Sequence, residues 1–160
     1  MQTVIVETEI AAPVERCYFL SLSIDLHTES TAQTGERAIA GVTHGLIGLG
    51  ETVTWQGRHF GLMVTHETLI TKYDRPSHFQ DVMVRGAFRS FVHDHFFEAD
   101  TKGGTRMRDE LRFAAPLGAL GWLAEKLVLR RYLRRFLVER NGAIRRAAES
   151  DAWRRYCPRG

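Results

Sequence analysis

The stretch that decides the fold reads TRMRDELRFAA at 105–115, then Pro116, then LGALGWLAEKLVLRRYLRRFLVERNGAIRRAAE at 117–149. Its first part alternates charged and apolar residues, which is the period of a β-strand with one buried face. The charged side carries Arg108, Glu110 and Arg112, so it faces water. The other side consists of Met107, Asp109, Leu111 and Phe113. The pattern therefore predicts that one aspartate points into the core.

Residues 117–149 have the longest helical pattern in the chain, and Pro116 ends the strand before it. Their apolar stripe is made of Leu123, Leu127, Tyr132, Leu133, Phe136, Leu137, Ile144 and Ala147. Arginines fill most of the remaining surface. The glycines at 118–121 permit a break or bend near the start of the helix. We expect this helix to be amphipathic and to lie on a sheet.

Upstream, the order of elements is one strand, two short helices and six further strands. Residues 3–10 alternate as a half-buried strand, Pro13 opens a helix, and a second short helix is expected at 24–30. The further strands are predicted near 36–43, 50–57, 59–72, 78–86, 88–99 and 105–115. We expect seven consecutive, hairpin-connected antiparallel strands. The chain is then one α+β domain over 1–150, followed by a frayed polar tail at 151–160.

Composition limits the function classes. The 160 residues are 44% hydrophobic and 26% charged, and no apolar run is long enough to span a bilayer. No secretory signal is evident at the N-terminus, so a cytoplasmic location is expected. Cys17 and Cys157 form no CxxC pair, which argues against a disulfide framework or a thiolate zinc site. A formal charge of +3 does not favour a nucleic-acid partner.

A strongly curved sheet leaves a concave side, and the C-terminal helix is the only element long enough to cover it. A cavity between the two is one outcome, and a fully packed interior is the alternative. Large aromatic residues such as Trp55, Trp122 and Phe136 fit either outcome, as cavity walls or as plain core.

The chain resembles the START-like, or SRPBCC, superfamily of helix-grip proteins, and in particular its polyketide cyclase/dehydrase-type branch. The resembling stretches are AAPVER at 11–16, GLGETVTW at 48–55, RPSHFQD at 75–81, GAF at 86–88, HDHFF at 93–97, GGTRMRDE at 103–110 and LGALG at 117–121. The resemblance implies a curved seven-stranded sheet wrapped around a long C-terminal helix. It also implies binding of an apolar or lipid-like molecule between them. The superfamily holds carriers, cyclases and ring-hydroxylase subunits, so the resemblance transfers no catalytic set.

Polar residues on the inner face are the candidates for chemistry. Alternation places Phe91, His93, His95 and Phe97 on one side, and Val92, Asp94, Phe96 and Glu98 on the wet side. A hairpin at 98–105 would set His95 opposite Asp109, and a bulged turn near 86 would set His93 opposite Asp81.

Three interpretations of these two pairs stay open. The aspartates orient the histidines as buried structure, the pairs bind the polar group of an apolar ligand, or a histidine moves a proton in a cyclisation or dehydration. The candidate catalytic residues are thus His93, His95, Asp109 and Asp81. The expected ligand-binding set is Trp55, Phe79, Met83, Phe91, His93, His95, Phe97, Met107, Asp109, Leu111, Leu133 and Phe136.

No metal or other cofactor is expected from the sequence. A His-x-His pair with a nearby carboxylate binds iron or zinc in cupin barrels, but the spacing around His93 and His95 departs from that pattern. No second cupin motif follows, and a long terminal helix does not suit that fold.

Partners are indicated by the arginine-rich face of the C-terminal helix. The face is either a solvated surface or a site of peripheral membrane contact through Arg130, Arg131, Arg134 and Arg135. Oligomeric state stays open. The sequence therefore favours binding of an apolar small molecule, with transport as one purpose of that binding. A cyclase or dehydratase and a membrane-docking module are the alternatives.

Overall fold

The computed structural model describes residues 1–116 and 125–157. Its strands are β1 (Gln2–Ile10), β2 (Arg37–Gly41), β3 (Thr52–His59), β4 (Leu62–Asp74), β5 (His78–Arg85), β6 (Ser90–Ala99) and β7 (Thr105–Ala114). Its helices are α1 (Val14–Leu22), α2 (Ile24–Ser30) and α3 (Arg130–Ala148), with a π-helical turn at Glu125–Leu129 and a 3₁₀ turn at Asp151–Arg155. The bend permitted at 118–121 and Trp122, which fitted a cavity wall or plain core, lie outside the described residues.

The described strands form one antiparallel sheet in the order β1-β7-β6-β5-β4-β3-β2. Six of them follow each other as a meander, but β1 pairs with β7 at the opposite edge from β2. The expectation that all seven strands are hairpin-connected was therefore wrong. Helices α1 and α2 intervene between β1 and β2 and carry the chain from one edge of the sheet to the other. With α3 against the sheet, the architecture is the predicted α+β helix grip.

The hairpin between β3 and β4 turns two residues later than the glycine positions predicted. Phe60 and Gly61 both have positive φ, of 51° and 79°, as a two-residue type I′ turn requires. Gly57, expected near the turn, lies inside β3. A Cβ atom there would come within 3.2 Å of the Cα of Glu36, so glycine lets Glu36 pack directly against β3.

Helix α3 packs against β1, α1 and α2. Its buried side carries Leu133, Leu137 and Ile144, which follow the predicted apolar stripe. Leu133 and Leu137 join Val4, Val6, Leu111 and Phe113 of β1 and β7 in one apolar cluster, whereas Ile144 belongs to a second cluster around Tyr18. No helix in the described ranges is long and apolar enough to cross a membrane.

The expected polar tail is folded against the domain over its described part. Residues after α3 form the 3₁₀ turn, and the Tyr156 hydroxyl donates to Glu29 Oε2 at 2.6 Å. The guanidinium of Arg16 lies 4.4 Å from the centre of the Trp153 ring. Tyr156 and Trp153 are amphipathic, and a count of charged residues misses how much apolar surface they bury.

One residue assigned to the wet face is buried. Asp94 points to the outer side of the sheet as alternation predicts, but only 4% of it is exposed. His78 Nε2 and Gln80 Nε2 lie 2.8 and 2.7 Å from its Oδ1, and Arg112 binds its other oxygen. Burial raises the pKa of Asp94, but these partners outweigh burial and lower it.

Candidate functional site

A cavity of about 330 Å³ lies between the inner face of the sheet and α3. Among the residues expected to bind a ligand, those that line it are Trp55, Phe79, Met83, Phe91, His93, His95, Leu111, Leu133 and Phe136. Asp81, expected only as a catalytic candidate, lines it too. The surface is mostly apolar, so the polar side chains in it stand out as sites of recognition or chemistry.

Three expected wall residues do not line the cavity. Phe97 packs edge-on against Tyr18 at 5.5 Å between ring centres, and Met107 Sδ lies 3.7 Å from Ser21 Oγ. Asp109 is fully buried behind His93 and His95. Strand alternation correctly gave their inward direction, but it cannot show what covers them: α1 covers Phe97 and Met107, and Asn141 of α3 contacts Asp109.

The predicted strand registers place the candidate residues together. Asp81 is opposite His93, and His95 is opposite Asp109. The hydrogen bonds nevertheless run diagonally: His93 Nε2 lies 2.9 Å from Asp109 Oδ1, and His95 Nε2 lies 2.8 Å from Asp81 Oδ2. In the directly opposite pairs, His93 Nδ1 lies 3.8 Å from Asp81 Oδ2, and His95 Nδ1 lies 2.9 Å from Asp109 Oδ1. These four residues, here called the histidine–aspartate cluster, form one unit rather than two pairs.

The two histidines of this cluster differ in their electrostatics. Burial lowers the pKa of His93, and the charge of His95 lowers it further. Burial also acts to lower the pKa of His95, but Asp109 and Asp81 outweigh burial and raise it. The histidines in turn hold the pKa of Asp81 below its usual value and that of Asp109 well below it, against the effect of burial. The cluster thus sets the pKa values of the two histidines apart, that of His95 above its usual value and that of His93 below it.

Helix α3 contributes two polar side chains to the same place. Asn141 Nδ2 donates to Asp109 Oδ2 at 2.6 Å, and Arg140 Nη2 donates to the carbonyl of Ser21 at 3.1 Å. Arg140 lines the cavity with only 6% of its surface exposed. Its Nη1 lies 3.5 Å from Asp109 Oδ1 and has no hydrogen-bond partner within the described part of the chain. The cavity wall therefore offers a buried cationic donor.

Sequence reasoning missed Arg140 and Asn141. Arg140 was counted with the other arginines of the helix, and Asn141 was not singled out. The signal was available, because Leu133, Leu137 and Ile144 define the buried stripe and residues 140–141 complete its helical spacing. A polar residue inside such a stripe indicates a buried polar contact.

A second polar group lines the cavity, and it was also missed. Glu36, which is buried, lies 2.8 Å from His27 Nε2 and 3.5 Å from His59 Nε2. His59 Nδ1 lies 2.5 Å from the Tyr132 hydroxyl, and His66 lines the same wall. We call these residues the Glu36 cluster. They come from separate elements, so no spacing in the sequence connects them.

The Glu36 cluster holds a buried negative charge. Burial raises the pKa of Glu36, but its hydrogen bonds with His27 and His59 outweigh burial and lower the pKa far below its usual value. Burial lowers the pKa of His66 and favours its neutral form. The His27 ring lies 4.1 Å from the Trp55 ring, which fixes its orientation. The cavity therefore has two polar regions set in an apolar wall.

Metal-ligating atoms converge in one place among the described residues. Asp81, His93 and His95 each offer a ligand atom, and these atoms lie within 4.8 Å of one another. Two imidazoles and one carboxylate are a donor set that suits zinc or iron.

Comparisons with known proteins identify the fold. No family model and no curated protein matches the chain. Solved structures do. TTHA0849 from Thermus thermophilus is 19% identical with a TM-score of 0.72, covering 93% of this chain and 100% of its own. A START superfamily protein from Mycobacterium smegmatis is 12% identical with a TM-score of 0.69, and the match covers 92% of this chain and 97% of that protein. Major latex-like protein 151 from Panax ginseng is 17% identical with a TM-score of 0.63, and the match covers 93% of this chain and 98% of that protein.

The chain therefore has a START-like, helix-grip fold, as the resemblance predicted. At these identities the likeness concerns the fold, and function has to be argued from the cavity itself.

Proposed function

We propose that this protein binds, and transports, an apolar or lipid-like small molecule in the cavity between the sheet and α3. The observation that carries the proposal is the cavity of about 330 Å³, apolar over most of its wall and with a few polar groups facing it. This volume is within the range of about 300–1,000 Å³ typical of small-molecule sites. A packed domain of this size has few voids larger than a water molecule, so the space needs a functional reason.

The polar groups of the wall indicate what kind of apolar molecule fits. Arg140 Nη1 makes no hydrogen bond in the described chain, although it lies 3.5 Å from Asp109 Oδ1, and a buried donor without a hydrogen bond costs about 1–3 kcal/mol. A ligand oxygen, above all a carboxylate or another anionic group, would remove that cost. We therefore expect an amphipathic ligand whose acidic group lies at Arg140 and whose apolar body contacts Phe79, Phe91 and Leu111.

Native mass spectrometry of the purified protein, followed by organic extraction, tests this function. The expected result is one apolar molecule per chain, carrying an acidic group. If no molecule is recovered, titration with 1-anilinonaphthalene-8-sulfonate, an anionic apolar probe, decides. Arg140→Met should weaken the affinity for that probe about 10-fold or more. Arg134 is an exposed arginine of the same helix, and Arg134→Met should leave the affinity unchanged. Absence of saturable binding to the unsubstituted protein would contradict the proposal.

A second candidate is acid–base catalysis of the cyclase or dehydratase type. The observation that favours it is the position of His93 and His95, which line the cavity while carboxylates orient their rings. His93→Gln and His95→Gln should then each abolish turnover of a substrate built on the extracted molecule. Affinity should stay within a few fold in both variants. Unchanged turnover in both would exclude this candidate.

A third candidate is docking to an anionic membrane surface for collection or delivery of the ligand. Arg130, Arg131, Arg134 and Arg135 are all exposed on α3. Exposed apolar side chains lie nearby. Leu127 and Val128 precede α3, and Phe60, which is 59% exposed, has its ring centre 4.5 Å from that of Tyr132. Phe60 also lines the cavity, so this surface is next to it.

Vesicle sedimentation tests the docking candidate. Binding to vesicles of mixed phosphatidylcholine and phosphatidylserine should exceed binding to pure phosphatidylcholine and should fall as salt is added. Replacing Arg130, Arg131 and Arg134 together by Gln should remove the difference. Equal binding to both vesicles, or binding that salt does not affect, would count against docking.

A further inference from the structure

We propose that Asp81, His93 and His95 form a binding site for one divalent transition-metal ion, such as Zn²⁺ or Fe²⁺. Asp81 Oδ2 lies 2.8 Å from His95 Nε2 and 3.8 Å from His93 Nδ1. The three ligand atoms lie within 4.8 Å of one another. Bonds of about 2.0–2.2 Å to such an ion place neighbouring donors about 3 Å apart, so small side-chain rotations complete the site.

The second observation is the arrangement behind the histidines. Asp109 Oδ1 lies 2.9 Å from His93 Nε2 and 2.9 Å from His95 Nδ1, the ring nitrogens that do not face Asp81. The hydrogen bond between His93 Nε2 and Asp109 holds His93 in the tautomer that leaves Nδ1 free for a metal. Asp109 contacts His95 Nδ1 without a hydrogen bond, so a metal at His95 Nε2 would replace the hydrogen bond between that nitrogen and Asp81. Carboxylates in this outer position are a regular part of histidine–metal sites.

Asp109 is itself fixed and charge-balanced. Asn141 donates to its other oxygen at 2.6 Å, and Arg140 Nη1 lies 3.5 Å from the oxygen shared by the histidines. The ligands lie on the neighbouring strands β5 and β6, and the carboxylate behind them lies on β7. A site on paired strands is more rigid than one on loops.

The cavity gives the site its open side. Asp81, His93 and His95 all line it, so coordination positions that the protein does not fill face the cavity contents. Three protein ligands with an open position are typical of metal sites that bind or polarise a small molecule. The sequence spacing argued against a metal because it was compared with cupin motifs. Here the carboxylate comes from the neighbouring strand through the register.

The test uses the full chain without a histidine tag, treated with a chelator and dialysed. Titration with Co²⁺, followed by visible absorption, and with Zn²⁺, followed by calorimetry, should each show one saturable site. Asp109→Asn should weaken affinity about 10–100-fold, as outer-shell changes do. Asp81→Asn, His93→Gln and His95→Gln should each weaken it more. His59→Gln changes a histidine of the Glu36 cluster on the same cavity wall, and it should leave affinity unchanged.

A measurement on the unsubstituted protein covers the case in which variants fail to fold. X-ray absorption of the Zn²⁺ complex should show imidazole and oxygen ligands and no sulfur. The proposal is overturned if no saturable binding occurs, if His59→Gln weakens binding as much as His93→Gln does, or if sulfur from Cys17 or Cys157 is among the ligands.

Discussion

Replacing Asp109 by Asn should destabilise the fold by about 3 kcal/mol. Asp109 is fully buried, and its two oxygens contact His93, His95 and Asn141. Removing one partner of a buried ion pair costs about 3–5 kcal/mol because the other charge is left uncompensated. The amide keeps the shape and one acceptor oxygen, which favours the lower end of that range. Its NH₂ group would also face a donor, either a histidine N–H or the Asn141 amide.

Urea unfolding followed by circular dichroism, in buffer with a chelator, measures this change. The free energy of unfolding of a small protein falls by about 2 kcal/mol per M of urea, so a loss of about 3 kcal/mol lowers the urea midpoint by about 1.5 M. Glu110→Gln is the matched control on the same strand. Glu110 pairs with Arg108 on the partly exposed outer face, so its loss should cost below about 1 kcal/mol. A midpoint shift below about 0.3 M for Asp109→Asn, with unchanged slope, would refute the reasoning.

Three further predictions concern stability. The pKa of Glu36 is lower in the folded protein than in the unfolded chain, where it has the usual value of about 4.3. Its carboxylate therefore stabilises the fold at pH values above about 4.3, and this stabilisation is lost as the pH falls below that value. Between pH 7 and pH 3, the free energy of unfolding of Glu36→Gln should therefore fall less steeply with pH than that of the unsubstituted protein. An equal dependence on pH in the two proteins would contradict this. Leu137→Ala should cost about 2–5 kcal/mol, since Leu137 is buried between α3 and the sheet; a loss below about 1 kcal/mol would mean that α3 is not packed as described. Tyr156→Phe should cost about 1 kcal/mol through the lost hydrogen bond to Glu29, and an unchanged melting temperature would show that the C-terminal segment does not contribute to stability.

The sequence predicted the sheet and its inner face because strand alternation is a local property. The pattern of β7 assigned Asp109 to the core, and the structure buries it fully. Hairpin lengths then brought His93 and His95 opposite the two aspartates, since each register follows from a short turn. What alternation could not give is the full set of partners that each histidine bonds, because side chains also reach diagonally across strands.

The Glu36 cluster was out of reach because its members are joined by tertiary packing. Glu36, His27, His59 and Tyr132 come from different elements, and only the way β3 folds beside α2 and α3 brings them together. Glu36 lies just before β2, in a segment whose sequence looks like a solvated strand end. Its burial depends on Gly57 of β3, whose missing side chain makes room for it. Periodicity does not encode such a close approach.

Ligand binding inside the cavity is tested most directly by filling the cavity. Val64 lines it and Val84 does not, although both are strand valines, and Val84 is 59% exposed. The measurement is a fluorescence titration with 1-anilinonaphthalene-8-sulfonate on the unsubstituted protein, Val64→Trp and Val84→Trp, all shown to be folded by circular dichroism. We expect saturable binding of one probe to the unsubstituted protein and to Val84→Trp, and roughly 10-fold or more weaker affinity for Val64→Trp. Equal affinity in all three proteins would place the probe outside the cavity and contradict the proposed function.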